Sequence, residues 1–359
     1  MKKIAIWILV LAFLCAGCVQ ESAGPKEQAA GSFRDITDST GRQVKIPAQV
    51  KSIICLNVGT LRFTTYMQAT GLVVGVEKIE IQPVISKPFN YINNKLFSSL
   101  PVIGDNGKTY DEEIIKLAPD VIMAAMDKEA ADALQAKLKI PVVAVPLIDN
   151  MFDEKCYQTL ALMGEVYGKE QRAAELTAYI KGLRGDLHNR TKNIKDKPTV
   201  YAAGISFKGA HGFEGTEANY SPFLAIGAKN LADQTGQPGA FDVDLEQVLK
   251  WNPDIIFLDF NGMDLINEHY ALNPDYYHSL SAVQNGRLFS QISFRSSAVN
   301  AELALADAYY AGKVIFPEQF RDIDPAVKAD EIFEKMLGTK FYSTLQANGY
   351  EFRQMKLGE

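Results

Sequence analysis

The sequence predicts an α/β protein of two lobes, each with a parallel-rich central sheet, joined by one long interdomain helix. The main observation is an internal repeat: residues 111–125, DEEIIKLAPDVIMAA, return without a gap as residues 245–259, LEQVLKWNPDIIFLD. Such self-similarity indicates a duplicated unit. In each copy a short apolar helical face precedes a proline, which cannot continue a helix. The apolar run that follows predicts a strand buried on both faces of a parallel sheet.

A second observation concerns the connection between the lobes. Across residues 170–192 apolar side chains recur at steps of three and four, which is the period of an α-helix. At a rise of about 1.5 Å per residue, this helix is roughly 35 Å long, close to the width of a small domain. It therefore predicts a strut between the lobes, although a helix lying on one lobe would have the same pattern.

The chain begins with the pattern of a secretory signal peptide, expected over residues 1–17. Two lysines precede an apolar run at residues 4–14, which is too short for a membrane span. The following LCAGC resembles the lipobox of secreted lipoproteins, in which Cys18 is lipidated, although Cys15 stands where that motif usually has leucine. Ordinary cleavage beside an incidental cysteine is the alternative. Residues 18–32 are small, polar and without periodicity, which predicts a flexible tether.

Composition narrows the partners and the chemistry. The 359 residues are 47% hydrophobic with a formal net charge of −6, which fits two ordinary domain cores and does not favour nucleic acid as a partner. The one Cys-x-x-Cys spacing, from Cys15 to Cys18, belongs to the leader, and no His-x-x-x-His spacing occurs, so we expect no zinc site in the folded body. Of the 4 cysteines, Cys55 and Cys156 lie in apolar patterns beyond the leader. We expect two buried free thiols rather than a disulfide.

The amino-terminal lobe is predicted over residues 33–152. Its first elements are a hairpin, a strand, a helix capped by Thr60 and another strand, at residues 33–37 with 42–46, 52–56, 61–70 and 73–76. In open α/β sheets, ligands meet the loops at the carboxyl ends of strands. The candidate ligand contacts of this lobe therefore follow its strands: Asn57, Thr60, Arg62, Lys78 and Asp127.

Connecting helices are predicted over residues 153–193, and the carboxy-terminal lobe with its terminal helices over residues 194–359. After a strand at residues 199–203, a glycine-rich loop carries aromatic and imidazole side chains that can stack on a ligand, although it could be a mere connection. Further helices are expected at residues 154–167, 301–316 and 325–337 and in the stretch 221–233, where Gly227 is placed near the helix end, and a strand is expected at 287–290. The candidate ligand contacts of this lobe are Phe207, His211, Tyr220, Asn261 and Arg295.

Arg62 and Arg295 are the cations that the sequence singles out, one in each lobe. A guanidinium fork binds carboxylate, catecholate or phosphate oxygens with two parallel hydrogen bonds. Two such forks facing each other across a cleft would suit an anionic ligand. A surface ion pair is the alternative for each arginine.

Several stretches resemble one protein family. ITDSTGRQVKIPAQVKSII, VVGVEK, LPVIG and EEIIKLAPDVIMA are similar to the amino-terminal lobe of the periplasmic-binding-protein family that serves ABC importers of iron-siderophores, haem and cobalamin, and DLEQVLKWNPDIIFLD is similar to its second lobe. With ELALADAYYAGKVIFPEQF, the resemblance covers nearly all of the chain after the leader. It implies two Rossmann-like lobes on one rigid interdomain helix, with modest closure. It also implies a monomeric, lipid-anchored protein at the outer face of the cytoplasmic membrane that serves a permease dimer.

Glu112 and Glu246 occupy equivalent positions in the two copies of the repeat. A carboxylate in the first turn of a helix is favoured by the helix macrodipole by roughly 0.3–1 kcal/mol, which could alone explain both. The family resemblance implies another role, because its members carry an exposed glutamate on each lobe that docks with basic residues of the permease. The repeat favours permease docking. We expect this docking surface and the cleft to lie at opposite ends of the repeated unit.

The expected function is capture of a solute between the lobes, without catalysis, a cofactor or a resident metal. An extracytoplasmic enzyme is the other class, but the sequence has no nucleophile elbow and no glycine-rich phosphate loop. A ferric siderophore or another anionic ferric chelate is the first expectation for the ligand, because arginines, Lys78 and tyrosines could face the cleft. Cobalamin, haem and an oxyanion are the alternatives. With only 4 histidines, at positions 188, 211, 269 and 278, a bare transition metal is not expected.

Overall fold

The structure, a computed structural model, describes residues 32–105 and 107–358. The predicted signal peptide, Cys18 and almost all of the predicted tether lie outside these residues. In the part of the chain that is described, no helix combines the length and the hydrophobicity needed to cross a bilayer.

The amino-terminal lobe is built on a parallel-rich sheet. Its strands are β1 (Phe33–Thr37), β2 (Gln43–Pro47), β3 (Ile53–Leu56), β4 (Val73–Glu77), β5 (Val102–Asp105), β6 (Lys108–Thr109), β7 (Val121–Ala125) and β8 (Val142–Val145). β1 and β2 form an antiparallel hairpin, and the others form one sheet in the order β6-β5-β4-β3-β7-β8, parallel except for β6. Every residue of β3 and β8 is buried, as their continuous apolar runs predict. The helices are α1 (Thr60–Tyr66), α2 (Pro88–Phe97), α3 (Asp111–Leu117) and α4 (Lys128–Leu138).

Two helices, α5 (Glu154–Tyr167) and α6 (Glu170–Thr191), connect the lobes. Gly168 ends α5 in the left-handed conformation that glycine adopts without strain, with φ of 64°. At the start of α6 the Arg172 guanidinium donates to the Tyr66 carbonyl of α1 at 3.0 Å, and at its end the Thr191 hydroxyl donates to the Ile226 carbonyl of the second lobe at 2.7 Å. The predicted strut is therefore confirmed.

The carboxy-terminal lobe repeats the parallel arrangement. Its strands are β9 (Thr199–Ala203), β10 (Gly215–Glu217), β11 (Lys229–Asn230), β12 (Ala240–Asp242), β13 (Ile255–Asp259) and β14 (Leu288–Gln291). A four-stranded parallel sheet has the order β11-β9-β13-β14, and β10 and β12 form a separate antiparallel pair. The helices are α7 (Ser221–Ala225), α8 (Leu245–Trp251), α9 (Met263–Leu272), α10 (Pro274–His278), α11 (Ser281–Gln284), α12 (Ala301–Ile315), α13 (Pro325–Leu337) and α14 (Tyr342–Ala347).

The internal repeat corresponds to one structural unit used twice, α3 with β7 and α8 with β13. In the first lobe the Asp120 carboxylate accepts from the Ser52 amide at 3.0 Å, while the Asp120 amide donates to the Ser52 hydroxyl at 3.0 Å. In the second lobe the Asp254 carboxylate accepts from the Thr199 amide at 2.7 Å, and the Asp254 amide donates to the Thr199 hydroxyl at 3.0 Å. The same hydrogen-bonded clasp thus joins neighbouring strands in both sheets.

One prediction about local structure is wrong and another holds in part. The Thr60 side chain does not cap α1, because its hydroxyl donates to the Leu56 carbonyl at 3.0 Å and Gly59 occupies the N-cap position without a side-chain bond. The helix expected in the stretch 221–233 ends near Gly227, as predicted. With φ of 55°, Gly227 turns the chain after α7, and the rest of the stretch enters the short strand β11 and not a helix.

One hydrophobic core continues through both lobes. Its buried members include Tyr66 of α1 together with Leu303 of α12 and Phe333 of α13. α13 packs against α1, and the rings of Tyr91 and Phe341 are in contact with their centroids 5.5 Å apart. The terminal helices therefore lie across the junction of the lobes.

Cys55 and Cys156 are free and buried, as predicted. Burial raises the pKa of each thiol to about 12. Because the thiolate is the reactive form, both cysteines are core residues and not nucleophiles at neutral pH.

Candidate functional site

The candidate site is the cleft where the carboxyl ends of the two parallel sheets face each other. On the amino-terminal side it is bordered by the loops after β3, β4 and β7, and on the carboxy-terminal side by the loops after β9, β13 and β14. The strand-end rule predicts this placement. Below the two rims, Ala298 of the second lobe shares a small void with Val58 and Gly59 of the first.

Asn57 organises the amino-terminal rim. This residue has φ of 65°, its amide donates to the Glu77 carboxylate at 2.8 Å, and its side-chain amide donates to the Ala125 carbonyl at 2.9 Å. Burial raises the pKa of Glu77, although the amides of Asn57 and Gly107 donate to it. Asn57 thus ties together the ends of β3, β4 and β7, and its side chain is engaged with the protein.

Lys78 and Asp127 lie on the same rim. The Lys78 ammonium is 3.3 Å from the Asp105 carboxylate, and both side chains are largely exposed. The Asp127 carboxylate caps α4 by accepting from the Ala130 amide at 2.8 Å. An exposed ion pair adds little to the free energy of unfolding. Lys78 can therefore leave Asp105 and bind a ligand more easily than Asp127 can leave the end of α4.

On the carboxy-terminal rim, Phe207 and His211 form one stacked unit with ring centroids 3.7 Å apart. The imidazole is fixed at both nitrogens, with Nδ1 2.8 Å from the Asp242 carboxylate and Nε2 2.8 Å from the Phe207 carbonyl. Phe207 borders a pocket of about 460 Å³. Its lining includes the predicted residues Asn261 and Arg295 and four residues that the sequence analysis did not single out, Ser206, Lys208, Ser296 and Ser297.

The backbone approaches itself closely at this rim. Gly204 follows β9 and Gly262 follows β13, and a Cβ on Gly262 would stand 2.5 Å from the Gly204 Cα and 2.7 Å from the His211 carbonyl oxygen. No side chain larger than hydrogen fits between these backbone atoms. The two glycines therefore fix the separation of the loops that border the pocket.

Both arginines that were predicted to bind the ligand have protein partners. The Arg295 fork is bidentate on the buried Glu217 carboxylate, whose pKa is raised by burial even though the guanidinium is adjacent. Arg62 is 1% exposed and donates to backbone carbonyls of the second lobe. Arg295 thus forms an ion pair, but with a buried carboxylate and not the surface ion pair given as the alternative, and Glu217 already balances its charge.

Tyr220 does not face the cleft in this structure, and Thr60 borders the small void below the two rims. Tyr220 is fully buried, with its ring against Phe223 and Phe294. Thr60 is 1% exposed, and its hydroxyl bonds within its own turn, to the carbonyls of Leu56 and Asn57. The sequence placed Tyr220 in a loop that follows a strand and Thr60 at the start of a helix. It could not determine the direction in which each side chain points.

Asp259, the last residue of β13, is a buried acid at the edge of the site. It is 2% exposed, and burial raises its pKa to about 7 although the Ser293 hydroxyl and the Asn261 amide donate to it. The ordinary pKa of an aspartate is about 3.9. Between these two values the unfolded chain has lost the proton that the folded protein keeps, so folding stability falls as the pH rises from about 4 to about 7.

We expect Asp259→Asn to reduce this pH dependence. The wild type should lose roughly 1–3 kcal/mol more unfolding free energy than the variant between about pH 4.5 and about pH 7, because the amide has no proton to release. Urea denaturation at both pH values measures the difference. Identical pH profiles for the two proteins would contradict the assignment.

Glu112 and Glu246 are exposed residues in the first turns of α3 and α8. α3 follows β6, which pairs with the carboxyl end of β5. α8 follows β12, whose partner β10 is bonded to Ile205 just after β9. Both helices thus begin at the cleft edge of their lobes, because a helix antiparallel to its strand starts where the strand ends. The expectation that docking surface and cleft lie at opposite ends of the unit is wrong.

Comparison with known proteins agrees with this architecture. The family model described as periplasmic binding protein matches residues 77–291, which is more than half of the chain. The molybdate-binding protein MolA of Haemophilus influenzae is 25% identical over 338 residues, covering 86% of this chain and 92% of MolA. A structure of MolA bound to molybdate has the same fold, with a TM-score of 0.66 at 22% identity over 86% of this chain and 98% of that one.

Two proteins of Bacillus subtilis are also similar. The uncharacterized ABC transporter substrate-binding lipoprotein YvrC is 24% identical, and the Fe(3+)-citrate-binding protein YfmC is 23% identical. Each alignment covers 80% of this chain and 89% of the relative. The family match and the two-lobe fold show that the chain belongs to the periplasmic binding protein family, and that it is the substrate-binding component of an ABC importer and not an enzyme.

Proposed function

We propose that the chain captures a small anionic metal compound outside the cell membrane and delivers it to an ABC permease. An oxyanion of the size of molybdate is the first candidate, and a compact ferric chelate such as ferric citrate is the second. A ferric siderophore, the first expectation from the sequence, ranks below both, because Arg62 and Arg295 have their donors on protein acceptors. As in the expectation from the sequence, the proposed ligand is an anion that contains a metal, but it is smaller than a ferric siderophore.

The observation that carries the proposal is the pocket on the carboxy-terminal rim. Its volume of about 460 Å³ lies in the lower part of the range of roughly 300–1,000 Å³ that is usual for small-molecule sites. The lining includes Ser296 and Ser297, whose hydroxyls can donate, and the exposed ammonium of Lys208, while the Ser206 hydroxyl is buried without a hydrogen-bond partner. Such short neutral donors around a cation suit a compact anion better than a tetrapyrrole. The ligands named for MolA and YfmC are both compact and anionic.

Binding to the purified mature protein tests this proposal. Calorimetry and thermal unfolding with molybdate, tungstate, ferric citrate, a ferric hydroxamate, haem and cyanocobalamin should show one-to-one binding of an oxyanion or of ferric citrate. At a concentration of 100 times Kd the ligand adds about 2.7 kcal/mol to the unfolding free energy. Sulfate is the matched control for charge and shape without a metal. Tight one-to-one binding of haem or cobalamin, with no response to the small anions, would contradict the proposal.

The same proposal includes lipid anchoring through Cys18 at the outer face of the cytoplasmic membrane. The leader sequence supports it, and YvrC, a relative of similar length, is named a lipoprotein. Metabolic labelling with a palmitate analogue, compared between the wild type and Cys18→Ser, tests the anchor separately from the ligand.

Glu112 and Glu246 are proposed to dock with basic residues of the permease. Their neighbours are engaged: Asp111 pairs with Lys137, and Glu113 is 3.8 Å from Lys116. Within residues 32–105 and 107–358, neither Glu112 nor Glu246 belongs to an ion pair. The two lobes therefore each present one exposed, uncompensated carboxylate beside the cleft.

A further inference from the structure

Arg62 joins the two lobes at the floor of the cleft. From α1 of the first lobe, Nη1 donates to the Val299 carbonyl at 2.9 Å, and Nη2 donates to the carbonyls of Ser296 at 2.9 Å and Ser297 at 2.6 Å. The guanidinium carbon lies 4.9 Å from the centroid of the Phe89 ring. A cation with five donors in a fixed fork is therefore almost fully enclosed by one backbone segment and one aromatic face.

The acceptors belong to residues 295–299, which we call the cleft loop. Ser297 and Ala298 have φ of 52° and 65°, so two consecutive residues with side chains adopt the left-handed conformation. Such residues persist only where their surroundings hold them, because a Cβ disfavours this conformation. The loop is closed on itself by a bridge between Arg295 and Val299. Within the same lobe the Asn300 side-chain amide donates to the Ser296 carbonyl at 3.2 Å, and Arg295 is tied to Glu217. From the other lobe, Arg62 adds three hydrogen bonds, to the carbonyls of Ser296, Ser297 and Val299.

The cleft loop also forms part of the ligand site. Ser296 and Ser297 line the pocket of the carboxy-terminal rim, and Ala298 lies in the void shared with Val58 and Gly59. Its backbone carbonyls point toward Arg62, so the loop's shape on the ligand side depends on a residue on the opposite side. A change at Arg62 can therefore reach the pocket without any contact between Arg62 and the ligand.

A second residue of α1, Tyr66, also bonds to the other lobe close to the cleft loop. The Tyr66 hydroxyl, one turn further along α1, donates to the buried Glu302 carboxylate and accepts from the Ala301 amide at 3.1 Å. Positions 62 and 66 lie on one face of α1. The first two turns of one lobe's helix thus hold both the cleft loop and the start of α12.

We propose that Arg62 is a positioning residue that holds the cleft loop in its left-handed conformation and sets the resting separation of the lobes, and that it does not contact the ligand. The part of this inference that concerns affinity rests on the proposed function. The part that concerns the loop and the lobes does not need a ligand.

Arg172 provides a matched control within the same chain. Its guanidinium also donates to three backbone carbonyls of distant segments, those of Tyr66 at 3.0 Å, Lys335 at 2.6 Å and Met336 at 3.4 Å. None of these acceptors belongs to the cleft loop. Arg62→Met and Arg172→Met therefore remove the same kind of contact at different places, and a general loss of stability should be common to both.

Hydrogen exchange of the mature protein without ligand tests the inference directly. Arg62→Met should accelerate exchange in residues 294–302 by at least about tenfold, and Arg172→Met should leave it within about twofold. Spin labels at Lys95→Cys and Glu268→Cys, exposed positions on the two lobes, should show a longer or broader distance distribution for Arg62→Met than for the wild type. Equal effects of the two substitutions on exchange of the cleft loop, or a lobe distance unchanged by Arg62→Met, would overturn the proposal.

Ligand affinity and rescue complete the test. With molybdate and ferric citrate as probes, Arg62→Met should weaken binding at least about tenfold and Arg62→Lys should do so partly, because lysine keeps the charge but lacks the fork. Ala298→Gly in the Arg62→Lys background should recover part of the loss, because glycine adopts the left-handed conformation without strain. Unchanged affinity in Arg62→Met would show that the loop does not shape the site. If neither probe binds the wild type, the proposed ligand fails, while the exchange and distance measurements still decide the role of Arg62.

Discussion

Replacing both Glu112 and Glu246 with alanine is expected to abolish solute import while solute binding stays within about twofold of the wild type. The two carboxylates stand beside the cleft on equivalent helices, exposed and outside any ion pair of the described residues. Truncating one partner of a desolvated interfacial charge pair costs about 2–5 kcal/mol. Loss of both should lower association with the permease by more than about 100-fold.

Transport by the permease in proteoliposomes, with the double variant supplied as the binding protein, measures this effect. Each single substitution should give an intermediate rate. Glu170→Ala is the matched control, because Glu170 is also an exposed carboxylate in the first turn of a helix, away from the repeated unit. If the double variant imports normally, or if it loses ligand affinity, the two residues do not form the docking surface.

Asp38→Asn is expected to destabilise the folded protein by about 3–5 kcal/mol, the usual cost of breaking a buried ion pair. The Asp38 carboxylate is buried and receives five donors: the Thr40 amide and hydroxyl, the Arg42 amide and guanidinium, and the Ala144 amide. An asparagine keeps one acceptor oxygen but turns an NH₂ group toward the Arg42 and Ala144 donors. The hairpin of β1 and β2 would lose the bond from the Ala144 amide and would keep its bonds to the carbonyls of Ala144 and Val142 in β8.

Asp132→Asn is the control, because Asp132 is the second carboxylate bound to the same arginine but its side chain is 56% exposed. It should cost less than about 1 kcal/mol. Although burial alone would raise the pKa of Asp38, the bonds from Thr40, Ala144 and Arg42 hold it below the ordinary value. Its contribution is therefore present above about pH 4 and is lost as the pH falls through the lowered value. Chemical denaturation at neutral and acidic pH measures both effects, and equal costs for the two variants would contradict this role.

The fold was predictable because its signals are local and repeated. The copies around Pro119 and Pro253 predicted two lobes, and the spacing of apolar residues predicted α6. The hydrogen bonds of Arg172 and Thr191 to the two lobes confirm that α6 is a strut, and the spacing of apolar residues could not predict these bonds. The short strand β11 shows the limit. Gly227 was expected near a helix end, but the pairing of residues 229 and 230 with β9 depends on residues 30 positions away in sequence.

The candidate site was predictable as a set of loops but not as a set of contacts. The strand-end rule identified the segments that border the cleft. It could not show that Arg295 would be bidentate on Glu217, 78 residues away in sequence, or that Arg62 would reach residues 234–237 positions distant. A charged side chain in a cleft loop is a candidate for ligand binding only until its partners within the protein are known. The serines of the cleft loop lie in the segment that follows β14, five and six residues after its end, and that position was the available signal for them.

The core that runs from α1 into α12 and α13 has a consequence for cooperativity. Unfolding one lobe alone would expose Tyr66, leave the Glu302 carboxylate without its donor and strip the cleft loop of Arg62. In a partly unfolded intermediate, the lobe that stays folded would contain polar groups without hydrogen-bond partners and would expose apolar surface to water, and both raise its free energy. We therefore expect the two lobes to unfold in one cooperative transition, so that a destabilising substitution in either lobe lowers the stability of the whole protein.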